Sequence, residues 1–258
     1  MSNAIAQSAT QLAVNGKDWT DIDYVNAVAK AIERKVGKSG ITRERRMLKR
    51  NAIVSSVVAQ FRGEHAAEYG GDPDRIGLTG DSAGGHLSAA CSLLADKIGK
   101  GGFGKTPGVF EFLPSYIPGN KTVEQLRTEI MASVKAAAPS YGVFGGKLLN
   151  LYTDDIAAND SWKDAIAPIT NIPDVKVRSV PQYLTRGTND PLIKDPDVKA
   201  FVDALVKAGQ RVEYVQAGGA SHAFFDWKPD AGTKATFYKY GVYYAAEMKA
   251  FFESVLSK

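Results

Sequence analysis

The chain has 258 residues with 44% hydrophobic and 23% charged side chains, a globular composition that excludes disorder, collagen and coiled coil as descriptions of the whole. No uninterrupted apolar run approaches the roughly 18 to 20 residues that a membrane span needs, so a soluble protein with no membrane span is expected. The net charge of +4 is uneven: residues 30–50 carry nine basic side chains against Glu33 and Glu44, a local +7 that leaves −3 for the rest. That cluster lacks interleaved aromatics, and it reads as a solvated face rather than a nucleic-acid or lipid footprint.

Residues 19–34 place Ile22, Val25, Val28, Ala29 and Ile32 at helical spacing and end in Lys and Arg, which predicts an amphipathic helix. Residues 47–69 read as a second helix, although the β-branched stretch 53–58 leaves a strand open. Together they make an N-terminal helical segment, 1–68, ahead of a core at 69–258. Gly70-Gly71-Asp72-Pro73-Asp74 is a breaker. Residues 75–79 then predict a strand, 80–86 a tight turn, and 87–94 a helix. An excursion rich in Gly, Pro and aromatics spans about 99–122. A helix at 123–131 and a strand at 133–139 follow.

From Pro181 the chain alternates: strand 182–185, loop 187–191, helix 196–208, strand 211–215, loop 218–226 and helix 236–256. Strands alternating with helices of ten or more residues imply an α/β fold with a mostly parallel sheet flanked by helices. The single cysteine, Cys91, excludes an internal disulfide and a cysteine zinc site. The first six residues lack a basic segment followed by an apolar one, so no signal peptide is read and a cytoplasmic location is favoured.

Gly80-Asp81-Ser82-Ala83-Gly84-Gly85-His86 carries a Gly-x-Ser-x-Gly pattern. The pattern alone is weak, but here it lies between a predicted strand and a predicted helix. A nucleophile elbow needs that context, because its turn is so sharp that small residues are required two before and two after the serine. A serine hydroxyl is a poor nucleophile near neutral pH and needs a histidine base oriented by an acid. Of the three histidines, His86 lies one helical turn beyond Ser82 and reads as structural. His65 falls in a predicted helix. His222 lies in the loop after the last strand and is the candidate base. Asp190 follows the preceding strand and is the candidate acid, giving the order Ser, Asp, His with spacings of 108 and 32 residues. Asp226, only four residues past His222, is the rival.

These words, with Tyr69-Gly70-Gly71-Asp72-Pro73-Asp74-Arg75-Ile76, Gly187-Thr188-Asn189-Asp190-Pro191 and Ser221-His222-Ala223-Phe224, resemble the serine esterase and lipase branch of the α/β-hydrolase fold, near the hormone-sensitive-lipase-like and acetyl-esterase families. The resemblance implies Ser82 as nucleophile, His222 as base then acid, Asp190 as orienting acid and the Ala83 N–H as one oxyanion donor. It implies a carboxylic-ester hydrolase with an acyl-serine intermediate, no metal and no organic cofactor. A short acyl group such as acetyl is expected, on a small-molecule ester with an acylated carbohydrate as one option. Phe224, Phe225 and Trp227, beside His222, are candidates for a substrate pocket, with ordinary packing as the alternative.

One family element is missing. No His-Gly pair occurs, so the His-Gly-Gly loop that completes the oxyanion hole is not evident. Residues 19–32 resemble the helix after the family's fourth strand, so the N-terminal strands are expected to be missing. A longer hydrolase represented by its C-terminal part, a shortened enzyme borrowing a donor, and an inactive binding or assembly module are the three readings. An exposed sheet edge would favour a homodimer.

Overall fold

In the computed structural model the described residues are 71–100, 117, 119–145, 149 and 164–257. The two expected N-terminal helices, the basic cluster, His65 and most of the aromatic-rich excursion lie outside them.

Four parallel strands, β1 (Ile76–Asp81), β2 (Val134–Ser140), β3 (Gln182–Gly187) and β4 (Val212–Ala217), form a sheet whose spatial order is their order in the chain. Asp81 pairs with Ser140, Ser140 with Thr185, and Gly187 with Ala217, so the carboxyl ends of β1 and β2 lie level and those of β3 and β4 run two residues further at the same side of the sheet. Loops leaving those ends therefore converge at one rim of the sheet. This is where open α/β sheets place their ligands.

Helix α1 (Ala83–Leu93) follows β1 and packs on β1 and β2. Its small residues allow a close approach: a Cβ on Gly85 would stand 2.6 Å from the Ser140 carbonyl oxygen, and one on Gly142 would stand 2.8 Å from the Gly85 carbonyl carbon. Its last turn is held by the Arg178 guanidinium, which donates to the Ser92 and Leu93 carbonyls. A cation there also suits the negative end of the helix dipole.

Helix α2 (Val123–Ser133) opens on a capping box. The Thr122 hydroxyl accepts from the Gln125 N–H at 3.2 Å, while the Gln125 side chain accepts from the Thr122 N–H at 2.8 Å. Helix α3 (Asp195–Lys207) buries Val198, Phe201 and Leu205, one stripe of its surface. Phe201 stacks on Phe144 at 4.3 Å.

The last helical stretch begins earlier than its sequence pattern suggests. Asp230 caps α4 (Ala231–Thr236) by accepting from the Thr233 N–H at 2.8 Å. A π-helical turn, Phe237–Gly241, then leads into α5 (Val242–Leu256). The α5 side chains Met248, Phe251, Phe252 and Val255 cover one face of the sheet against Ala136, Ala138, Tyr183 and Val215. The opposite face carries the larger core, including Leu93, Ile130, Leu184 and Phe201. Helices on both faces make this a three-layer α/β arrangement, as the alternation of elements implied. Among the described residues, no helix is long and apolar enough to cross a membrane.

Candidate active site

The sharp turn after β1 gives Ser82 φ 51° and ψ −113°, a backbone conformation that L side chains rarely adopt. Strain of this kind costs on the order of 1–3 kcal/mol and persists only where the surroundings enforce it. Here the Ser82 N–H donates to the Ser140 carbonyl at 3.0 Å, which ties the turn to β2. Ser82 occupies the N-cap position of α1, yet its hydroxyl makes no capping bond. That hydroxyl lies 2.9 Å from Nε2 of His222.

The glycines around the serine differ in what they permit. A Cβ on Gly80 would lie 2.4 Å from the Gly84 carbonyl oxygen, so the turn admits no side chain there. Gly84 itself, the second glycine of the pattern, would meet only an Asp81 carboxylate oxygen at 4.0 Å. The crowding expected two residues after the serine falls on the next residue instead. Gly85 faces Ser140, because that residue's Cβ direction points into the β2 terminus.

His222 is held by a loop stitched to the loop that carries Asp190. Thr188 N–H donates to the Ala217 carbonyl at 3.0 Å, Asn189 N–H to the Ala220 carbonyl at 2.9 Å, and Gly219 N–H to the Thr188 hydroxyl at 2.7 Å. Ala223, next to His222, has φ 62°. The Asp190 side chain is fully buried, and the His222 side chain is partly exposed at 16%. One Asp190 oxygen accepts from the Leu192 and Ile193 N–H groups at 2.8 and 2.9 Å, which fixes the carboxylate. The other lies 2.8 Å from His222 Nδ1. Asp226 does not make this contact: its carboxylate pairs with Lys228 at 2.8 Å.

The arrangement can move a proton. An imidazole whose Nδ1–H is held by a carboxylate presents its Nε2 lone pair to the serine hydroxyl, the disposition a general base requires. The residues sequence reasoning brought forward for these roles are thus assembled across 140 positions of chain. Ala83 opens α1 beside them, and the first N–H groups of a helix have no intrahelical acceptor. Asp81 lies next to the serine with its carboxyl held above the ordinary carboxylate range, chiefly by burial and then by Asp226. The Tyr141 hydroxyl and His222 act in the opposite direction.

The aromatic candidates separate. Phe224 is completely buried in the core, where its ring lies 5.0 Å from Tyr141 and 5.8 Å from Tyr244, so packing accounts for it. Phe225 is half-buried beside it. Trp227 is exposed and packs edge-on against Phe237 and Tyr238. Sequence reasoning did not pick out Tyr141, Thr188 or Asn189. For the latter two the signal was available, since they sit inside the word that carries Asp190.

His86 is buried, and its Nδ1 lies 2.7 Å from the Val143 carbonyl. Burial pulls its pKa down from 6.5 to about 4. At pH 7 the ring is neutral and donates to that carbonyl, a structural role matching the sequence reading. As pH falls below 6.5 the unfolded chain takes up a proton that the fold refuses until about 4. Stability is therefore lost across that window, by roughly 3 kcal/mol in all. Thermal melts from pH 7 to 4 are expected to show this slope in the wild type and a shallower one in His86→Gln. Equal slopes would assign the effect to another group. Cys91, also buried in α1, has its thiol pushed up to about 12 and is no nucleophile.

Residues 51–226 match the family model described as alpha/beta hydrolase fold. The chain belongs to the α/β-hydrolase fold family. Among similar members are esterase LipQ of Mycobacterium tuberculosis, 29% identical over 66% of this chain and 38% of that protein, and the probable carboxylic ester hydrolase LipM of the same organism, 31% identical over 62% and 35%. The matched part of this chain thus spans less than two-fifths of the length of either relative. Among solved structures, Thermogutta terrifontis esterase 2 superposes with a TM-score of 0.53 at 23% identity, covering 82% of this chain and 68% of that one, which is a likeness of fold. The esterase and lipase resemblance of the hydrolase elbow agrees with these relatives.

Proposed function

We propose that this α/β hydrolase cleaves carboxylic esters with Ser82 as nucleophile, His222 as proton carrier and Asp190 as orienting acid. The observation that carries the reading is the unbroken relay of 2.9 Å from Ser82 Oγ to His222 Nε2 and 2.8 Å from Nδ1 to Asp190. Esterase relatives add support. As Oγ attacks the ester carbonyl carbon, its proton passes to Nε2 and the carbonyl oxygen becomes an oxyanion. Collapse of that adduct breaks the bond to the alkoxy oxygen, which leaves with the proton from Nε2, and Ser82 remains acylated. Water repeats the sequence, giving its proton to Nε2 and returning Ser82 with the free acid.

The Ala83 N–H, at the positive end of α1, is the proposed first donor to the oxyanion. Acetyl is the proposed acyl group, a choice that rests on the resemblance in the sequence. The test is release of p-nitrophenol from p-nitrophenyl acetate and octanoate, with a fluorophosphonate probe to map the acylated residue. Turnover faster on the acetate, with probe mass on the peptide carrying Ser82, is the expected result. No release, or labelling elsewhere, overturns the reading.

A further inference from the structure

Tyr141 lies outside every motif, yet it touches all three arms of the site. It follows β2 directly, is completely buried, and has φ 36°, an unusual backbone for a residue with a side chain. Its N–H donates to the Thr185 carbonyl at 2.6 Å, on the strand that leads to Asp190. Its hydroxyl donates to an Asp81 carboxylate oxygen at 3.2 Å and accepts from the Phe225 N–H at 3.2 Å. Asp81 is bonded to Ser82, and Phe225 is three residues beyond His222. The Tyr141 ring also lies 4.8 Å from the His222 ring, tilted by 60°.

We infer that Tyr141 is a positioning residue for the relay, its hydroxyl clamping the His222 loop to the elbow so that Nε2 stays in line with Ser82 Oγ. The inference rests on the hydrolase reading and adds a member to its machinery. A phenol suits the task because one oxygen donates and accepts at once, on a rigid ring with few torsions. Loss of the hydroxyl leaves the Phe225 N–H without this acceptor and Asp81 without this donor. Asp226, which bears on both Asp81 and Tyr141, then pushes on a carboxylate no longer held. The base loop loosens from the serine, and a misplacement near 1 Å is enough to cost about 10²-fold in rate.

The experiment compares wild type, Tyr141→Phe, Asp81→Ala and the double variant, all as the full chain, on p-nitrophenyl acetate; alanine, unlike asparagine, keeps no oxygen to accept from the phenol. Tyr141→Phe is expected to lower kcat by about tenfold or more with KM within about twofold, because an alignment effect falls on the reacting geometry and not on substrate binding. The double variant is expected to be no slower than the slower single, since both substitutions break one shared bond. Amide exchange at Phe225, followed by NMR, is expected to accelerate in Tyr141→Phe. A wild-type kcat, a rise in KM alone, multiplicative losses in the double variant, or unchanged Phe225 exchange each overturn the clamp. Absence of turnover in the wild type would overturn the hydrolase reading instead, and the exchange measurement would still decide on the clamp.

Discussion

Asp190→Asn is expected to lower kcat by about 10³- to 10⁴-fold while the melting temperature stays close to that of the wild type. The separation follows from the two carboxylate oxygens doing different work. The oxygen that accepts from Leu192 and Ile193 is preserved as the amide oxygen, so the turn keeps its bonds. The oxygen facing His222 becomes an NH2 group. Two donors cannot face each other, so the imidazole adopts the tautomer with its proton on Nε2, where it points at Ser82 and accepts nothing. Steady-state kinetics and a thermal melt of the same sample check both halves. A rate near the wild type would mean that Asp190 does not set the tautomer. Asp190→Ala would not be diagnostic, because it removes the turn bonds as well.

Gly187→Ala is expected to lose activity by about 10²-fold or more and to destabilise the fold by about 1–3 kcal/mol. A Cβ at Gly187 would stand 2.3 Å from the Ala220 carbonyl oxygen and 2.8 Å from that of Ser221. Both obstacles are backbone, and both belong to the two residues immediately before His222. The methyl group can be admitted only if the base loop lifts off β3, which carries the imidazole away from Ser82. Kinetics with p-nitrophenyl acetate and a denaturant melt measure the two effects. Unchanged values in both would show that the loop has slack that the observed packing does not suggest.

Much of this arrangement is legible in the sequence because its signals are local. The strand at Gln182, the capping pair Thr122 and Gln125, and the elbow word around Ser82 each declare themselves within a few residues. Asp190 and His222 are legible as well, since each follows a strand in a loop of characteristic residues. Tyr141 is not, because its importance lies in contacts with residues 60 and 84 positions away, which leave no periodicity and no spacing to read. Phe224 illustrates the converse. Its place beside the base suggests a pocket wall, but the chain direction set by Ala223 turns it into the core. Gly84 and Gly85 are adjacent and chemically identical, and only the proximity of β2 distinguishes the one that is crowded. The early start of the last helical stretch hinges on Asp230, a cap whose effect the apolar pattern from residue 236 onward does not register.

The strands lie side by side in the order in which they are synthesised. On the ribosome this lets each of these described strands dock on the one before it without waiting for a later one, and Ser82 emerges 108 residues before Asp190 and 140 before His222. At a synthesis rate of roughly 5–20 residues per second, Ser82 spends on the order of ten seconds without the two partners of the proposed relay. On the proposed mechanism, reactivity is thus a late event in the life of the chain, dependent on the loop that carries His222, and a nascent chain stalled before that residue is expected to present an inert Ser82.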